Sequence, residues 1–336
     1  MKHKYNTVKN TIENDRESGY KNSQYAVAEL IDNSIQAGFK KKTKKSVGDR
    51  TGCVIDLIII EEKIELNSRK IDRISKILVA DNATGMDDNT LGAALAKGES
   101  KNKEEDGMGK FGYGLYMSSL SQCKRTDVYT WQNKKISHSW LDIDEILNSE
   151  IEDVPVEKIT KIPSKFDTLF TNPKSDSGTL VVWSNLDQAT WKTGEGIFRN
   201  VEHEIGRMHR YFLDSGKVKI KFKQYRKVGK DNYTLKEEKY IRPNDPLYLM
   251  KNTNCPAPWH NKPGFIESPK EKIRINYKGV KGDITLKFAI ANEEFRGIKT
   301  PHGNKPWGRH ARKNNGVSII REGRELELNK SWANPS

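Results

Sequence analysis

The chain has 336 residues, 35% hydrophobic and 31% charged, a length that predicts two domains, each large enough for its own core. Its longest apolar run, Val54 to Ile60, is broken by Asp56, so no membrane span is expected, and Met1-Lys-His-Lys-Tyr5 lacks the apolar region of a secretory signal. Cys53, Cys123 and Cys255 are too few and too scattered for a disulfide framework or a zinc site and fit a reducing cytoplasm, while a formal charge of +14 admits a nucleic-acid partner.

Residues 1–24 are polar and lead into the first predicted helix, Ser23 to Gly38, which is expected to stop at its glycine. At a helical period Glu29, Asp32, Asn33 and Gln36 share one face, and Val27, Leu30, Ile31 and Ile35 share the other. Glu29 and Asn33, four apart, are neighbours. An acid beside an amide oxygen can pair a proton acceptor with a hard ligand for a cation, although a solvated surface helix would show the same pattern.

Lys40-Lys-Lys-Thr-Lys-Lys45 reads as a loop, and Cys53–Ile60 and Ile74–Ala80 as two strands separated by a charged connection. Asp81 stands at the mouth of the second strand, ahead of Asn-Ala-Thr-Gly85-Met86 and a helix over Asp87–Lys97. An aspartate there can accept a hydrogen bond from an exocyclic amine while Gly85 admits a close backbone approach, but Asp-Asn-x-x-Gly is also a common turn. Gly98–Asp106 reads as a loop, followed by the glycine cluster Gly107-Met-Gly-Lys-Phe-Gly-Tyr-Gly-Leu115 and a small-residue helix to Cys123. Glycines ahead of a helix expose backbone N–H groups to phosphate oxygens, although this run lacks the Gly-Lys-Ser/Thr ending of a P-loop.

Strands are expected at Asp127–Gln132, Lys135–Leu141 and Thr179–Trp183, the last opened by Ser177-Gly178-Thr179, with an acidic, Pro-containing segment over 142–176. Gly196–Leu213 predicts one long helix, followed by β-rich sequence, with a boundary near residue 190. Arg207 sits where the partner of His203 in a helical zinc pair would have to be, so His203 and His209 read as ordinary helix residues. Lys217-Val-Lys-Ile-Lys-Phe-Lys223 would line four lysines along one strand face, either as the guarded edge of a sheet or as a phosphate track.

Taken together and in this order, Glu29-x-x-Asp32-Asn33, Asp81 to Gly85, Gly107 to Gly114 and Gly178-Thr179 resemble the GHKL ATPases: DNA gyrase B, the mismatch-repair protein MutL, the ninety-kilodalton heat-shock (Hsp90) chaperone and sensor histidine kinases. The resemblance is nearest to the microrchidia (MORC) branch and its bacterial relatives, through Glu-Leu-Ile-Asp-Asn-Ser-Ile-Gln-Ala37 and Gly-Lys-Phe-Gly-Tyr-Gly114. Asn315-Gly-Val-Ser-Ile-Ile-Arg-Glu-Gly-Arg-Glu325 is similar to their second domain. The resemblance is specific over roughly residues 18–185 and thin beyond 190.

What it implies is an α+β fold: a Bergerat-type α/β sandwich over residues 1–190, with an ATP lid near 98–114, then a transducer-like β-α-β domain over 191–336. Carried over residue by residue, Glu29 would be the general base and Asn33 the Mg²⁺ ligand. Asp81 and Thr179 would bind adenine; Ala37, Gly85 and Met86 would line the nucleotide site. Gly107, Gly109, Lys110, Phe111, Gly112, Tyr113, Gly114 and Leu115 would close over the phosphates. Ala83 stands where the family usually has glycine. A transducer lysine normally reaches the γ-phosphate; Lys330 is the candidate, and the expectation is that the sequence is the front part of a longer protein. The implied activity is Mg²⁺-dependent ATP hydrolysis driving homodimerisation in a DNA-linked or genome-defence (antiviral) process, with a partner protein encoded alongside. The competing readings are an ATP-gated nucleic-acid clamp with little turnover and a histidine-kinase-like phosphotransferase.

Overall fold

A computed structural model describes residues 8–44, 52–97, 114–149, 153–171, 175–298 and 301–333. The chain divides into two compact units, Met1–Val201 with Lys217–Ile241, and Glu202–Gly216 with Arg242–Ser336. It crosses between them near residues 201, 216 and 241. Among the described residues no helix is long and apolar enough to cross a membrane.

The first unit begins with α1 (Val8–Ser18), a helix within the polar leader, and α2 (Ser23–Lys44). Helix α2 does not stop at Gly38 but continues to Lys44, within the stretch expected to form a lysine loop. Gly38 serves close packing instead of a cap: a Cβ there would lie 2.6 Å from Cys53 Sγ. Strands β1 (Cys53–Leu66) and β2 (Arg69–Asp81) pair through their whole charged stretch, so the expected connection is a long hairpin. Asn67 and Ser68 at its tip both take positive φ, 49° and 57°, the hand that two-residue hairpin turns favour.

Helices α3 (Asp88–Leu95) and α4 (Gly114–Leu120) follow, and then the hairpin of β3 (Arg125–Gln132) and β4 (Lys135–Asp142). The segment read as acidic and Pro-containing forms α5 (Ile143–Ser149), β5 (Val156–Ile159) and α6 (Ser164–Asp167) before β6 (Ser177–Ser184). The long helix expected after residue 190 is two pieces, α7 (Gly194–Met208) and α8 (Arg210–Asp214), separated at His209. Strands β7 (Val218–Lys227) and β8 (Tyr233–Tyr240) complete an eight-stranded sheet ordered β5-β4-β3-β6-β2-β1-β7-β8. It is mixed, with β1 and β7 parallel and the other neighbours antiparallel.

Both faces of the sheet are covered, which is why its central strands read as continuous apolar runs. On one face α2 lies against β1 and β2 and buries Val27, Leu30, Ile31 and Ile35. On the other, Ile58, Ile60, Leu78, Ala80, Tyr129, Trp131, Leu180 and Val182 pack against Ile162, Phe166, Leu169 and Phe170. Asp56 and Lys223 belong to this second layer. Asp56 accepts from the Thr171 backbone N–H and from the Thr171 hydroxyl (2.8 Å). Lys223 Nζ donates to Leu169 O (3.0 Å) and Thr171 Oγ1 (3.1 Å), 3.6 Å from Asp56 Oδ2.

The lysine alternation of β7 is therefore neither a sheet edge nor an open phosphate track. The strand lies between β1 and β8; of the four alternating lysines Lys223 is buried, Lys221 pairs with Glu238 at 3.0 Å, and Lys217 and Lys219 are exposed.

In the second unit, β9 (Phe265–Glu267) pairs with β12 (Ala289–Ala291), β10 (Glu271–Tyr277) with β11 (Val280–Leu286), and β13 (Val317–Arg321) with β14 (Arg324–Asn329). Helices α9 (Glu293–Arg296) and α10 (Pro306–Lys313) lie between. Tyr248, Cys255, Trp259 and Phe295 form its small core, joined by Phe265, Ala291, Trp307 and Ala311. Buried Glu325 takes Arg207 Nε at 2.6 Å and Arg210 Nη1 at 2.7 Å, tying helices α7 and α8 to the β13–β14 hairpin.

Candidate functional site

The site is assembled at the ends of three adjacent strands. Asp81 on β2 stands opposite Thr179 on β6, which stands opposite Thr130 on β3. Asp81 is buried, and its carboxylate is held from three directions. Oδ1 accepts the backbone N–H of Ala83 (2.9 Å) and of Thr179 (3.2 Å), and Oδ2 accepts the Ser34 hydroxyl (2.8 Å).

The loop after Asp81 is pinned at each residue. Asn82 Oδ1 accepts from Val54 N (2.9 Å), Ser177 Oγ donates to Ala83 O (2.6 Å), Gln132 Nε2 donates to Thr84 O (3.0 Å), and Met86 N donates to Thr130 Oγ1 (2.8 Å). Gly85 takes φ 67°, and a Cβ there would run into the Trp131 backbone oxygen, so glycine is required by both conformation and space. Ala83 is fully buried. Thr130 Oγ1 donates to Gly178 O at 3.1 Å, which leaves the Thr179 hydroxyl, 3.4 Å away, as donor in the contact between the two threonines.

Helix α2 forms the wall. Its apolar face is buried as the periodicity required, but Asp32 and Ser34 are buried as well, so the polar side is narrower than the wheel implied. Glu29 is half-buried and Asn33 exposed. Both reach the first residue of α4: a Cβ on Gly114 would lie 2.9 Å from Glu29 Oε2 and 3.9 Å from Asn33 Nδ2. One helix thus carries an acid and an amide toward the end of the glycine cluster, and on the next residue the serine that fixes Asp81.

Helix α4 is anchored in turn. Asp15 on α1 accepts from Tyr116 Oη (3.0 Å) at Oδ2 and pairs with Lys97 Nζ (2.8 Å) at Oδ1. It therefore grips residues on both sides of the 98–113 segment. Burial first, then the Asp15 charge and hydrogen bond, push the Tyr116 hydroxyl pKa well above its ordinary value, so it remains a proton donor to that carboxylate.

Gly107, Gly109, Lys110, Phe111, Gly112 and Tyr113 lie outside the described residues. Leu115 is buried in α4; Ala37 and Met86 are half-buried. Lys330 is exposed just after β14 in the second unit. Ser34, Thr130 and Asp15 were not singled out in the sequence, and Ser177 was read there only as the opening of a strand. Ser34 carried a signal, a hydroxyl inside a helix directly after Asn33; the position of Thr130 depends on strand pairing and had none.

Among the described residues no group of three His, Cys, Asp or Glu side chains is placed to hold a metal. An exposed Asn33 beside Glu29 instead fits an ion that takes one protein oxygen and fills its remaining positions with water and substrate phosphates, as Mg²⁺ does.

Residues 20–179, a little under half of the chain, match the family model of histidine kinase-, DNA gyrase B- and HSP90-like ATPases. The match contains Glu29, Asn33, Asp81, Gly114 and Thr179 and supports ATP binding and turnover in general for this segment. The eight-stranded mixed sheet with its helices is consistent with the Bergerat α/β sandwich of that family. No curated protein matches the chain.

Proposed function

We propose that the chain hydrolyses ATP with Mg²⁺ and uses the cycle to gate a conformational change, with dimerisation on ATP binding. The observation that carries this reading is the convergence of the Glu29 carboxylate and Asn33 amide on Gly114, on the helix whose Ser34 fixes Asp81.

In this reading Asp81 accepts a hydrogen bond from the exocyclic amine of adenine, and Thr179, with Thr130 behind it, orders the ring edge. Asn33 holds Mg²⁺, which, when bound, would offset charge on the phosphate oxygens. Glu29 accepts a proton from the attacking water, a role worth about 10²–10⁴ in rate. Backbone N–H groups of residues 107–114 close over the phosphates.

Residues 1–190 would form the ATP-binding domain and 191–336 a transducer. The motifs over Glu29–Ala37 and Gly109–Gly114 favour the MORC-type branch, with a cytoplasmic, DNA-linked or genome-defence role and a partner protein encoded alongside. A second reading, a nucleic-acid clamp driven by ATP binding alone, is favoured by the +14 charge.

Calorimetric titration with a nonhydrolysable ATP analogue and Mg²⁺ tests the reading, run on the protein and on Asp81→Asn, with sizing of both samples. Saturable binding and a larger species that disappear together in Asp81→Asn are expected. Equal binding by the variant overturns the adenine assignment.

A further inference from the structure

Helix α10 has two unlike faces. Trp307 and Ala311 pack against the core of Tyr248, Trp259 and Phe295, and Trp307 Nε1 donates to Phe295 O at 3.2 Å. His310 beside them accepts from Tyr248 Oη at Nδ1 (2.8 Å) and reaches Asn254 Oδ1 with Nε2 (3.1 Å). The opposite face carries Lys305, Arg309, Arg312 and Lys313, all exposed. At 100° per residue these four, Lys305 being the N-cap, span an arc of about 100°, along roughly 12 Å of helix axis.

Among the described residues this stripe is electrostatically unanswered. Among the described residues none of the four forms an ion pair, and the one side-chain bond is Arg309 Nη1 to Asn304 O at 2.8 Å. Residues 295–321 hold seven Lys or Arg and no Asp or Glu. Like charges spaced three and four apart on a helix repel. The helix dipole offsets this only for Arg312 and Lys313 in the last turn; Lys305 and Arg309 sit toward the end that favours acids, and the first turn has none. An apolar face that fixes the helix and an outward face of unpaired cations are complementary to a regularly spaced polyanion. No aromatic side chain is presented with the cations, since Trp307 faces the core, so the surface suits phosphates and not bases.

We propose that the exposed face of α10 binds the phosphate backbone of duplex nucleic acid without regard to sequence. The surface rests on the nucleic-acid partner in the functional reading above and is independent of its ATP chemistry. Lys305, Arg309, Arg312 and Lys313 each meet one phosphate, and the helix lies along the backbone instead of entering a groove.

The test measures binding of the full chain to duplex DNA, duplex RNA and phosphatidylserine vesicles between 50 and 200 mM salt, without nucleotide. The Arg309→Ala, Arg312→Ala, Lys313→Ala triple variant is compared with a triple of equal charge, Lys272→Ala, Arg274→Ala, Lys281→Ala, on the β10–β11 hairpin. Circular dichroism and an ATP-analogue titration of each establish folding and separate a failed surface from a failed nucleotide site. The α10 triple is expected to weaken duplex binding roughly 30–100-fold and to reduce the slope of log K against log salt by two to three, at about 0.9 per phosphate lost. The hairpin triple should stay within about threefold of the parent, within the tolerance for one weak contact. Loss on DNA alone, on RNA alone or on both supports the surface and names its source. No duplex binding at 50 mM salt, equal losses in the two triples, or an effect confined to vesicles overturns it.

Discussion

Glu29 Oε2 lies within 2.9 Å of where a side chain on Gly114 would begin, so the proposed base and the first residue of α4 leave no room for a methyl group between them. The end of a glutamate side chain can move aside cheaply, so Gly114→Ala should fold normally while Glu29 turns away from its water. Misplacing a catalytic group by about an ångström costs on the order of 10² in rate. ATP turnover should fall by that factor with analogue affinity nearly unchanged; full turnover in a well-folded Gly114→Ala protein would show that Glu29 does not act from this position.

Lys223 gives the opposite expectation to its sequence context. Its ammonium is buried among Leu169 O, Thr171 Oγ1 and Asp56, so it fastens the 162–171 layer to the sheet. Removing one partner of a buried pair typically costs about 3–5 kcal/mol because the other charge is stranded. Lys223→Ala should therefore lower the denaturant midpoint strongly, with the salt dependence of any duplex binding unchanged in the protein that remains folded. A stable variant with a shallower salt slope would restore the phosphate-track reading of residues 217–223.

The second unit should lose stability in mild acid. Burial, with the charges of Lys313 and Arg242, lowers His310 to about 4; burial, with His310 and nearby cations, lowers His203 to about 3. Both folded values lie below the ordinary 6.5, so the unfolded chain takes up protons first as pH falls. Their contribution is complete above pH 6.5 and is lost as pH falls through 4, on the order of 2–3 kcal/mol for His310. The contacts fit a neutral ring: Tyr248 Oη accepts from Asn314 Nδ2 (3.2 Å) and gives its own proton to Nδ1, leaving Nε2–H for Asn254. A proton NMR titration should find His310 neutral at pH 5; a midpoint near 6.5 would contradict this.

Much of the first unit was legible because its signals are local. The spacing of Val27, Leu30, Ile31 and Ile35 gave the buried face of α2, and the position of Asp81 after an apolar run gave its place at a strand end. What escaped depends on distant partners. Gly38 reads as a helix stop unless one knows that Cys53 passes beside it, and Lys223 reads as a surface residue unless one knows that residues 162–171 fold over it. Thr130 joins the site only because β6 lies between β2 and β3, a strand order no single motif encodes. The Asp15 grip on Lys97 and Tyr116 sits in a leader that gave no periodic signal. In the second unit short ribbons and a small aromatic core leave weak periodicity, and the acid-free stretch around α10 became informative once Trp307 and Ala311 fixed which of its faces is inward.

The central claim is that Glu29 is the base of an ATP-hydrolysing site. Steady-state ATP hydrolysis with Mg²⁺, measured beside analogue affinity for the protein and for Glu29→Gln, tests it most directly, because the amide keeps the shape of the side chain and removes its basicity. A fall of about 10²–10⁴ in turnover with affinity within a few-fold of the parent is predicted. Turnover by Glu29→Gln equal to that of the parent would contradict it.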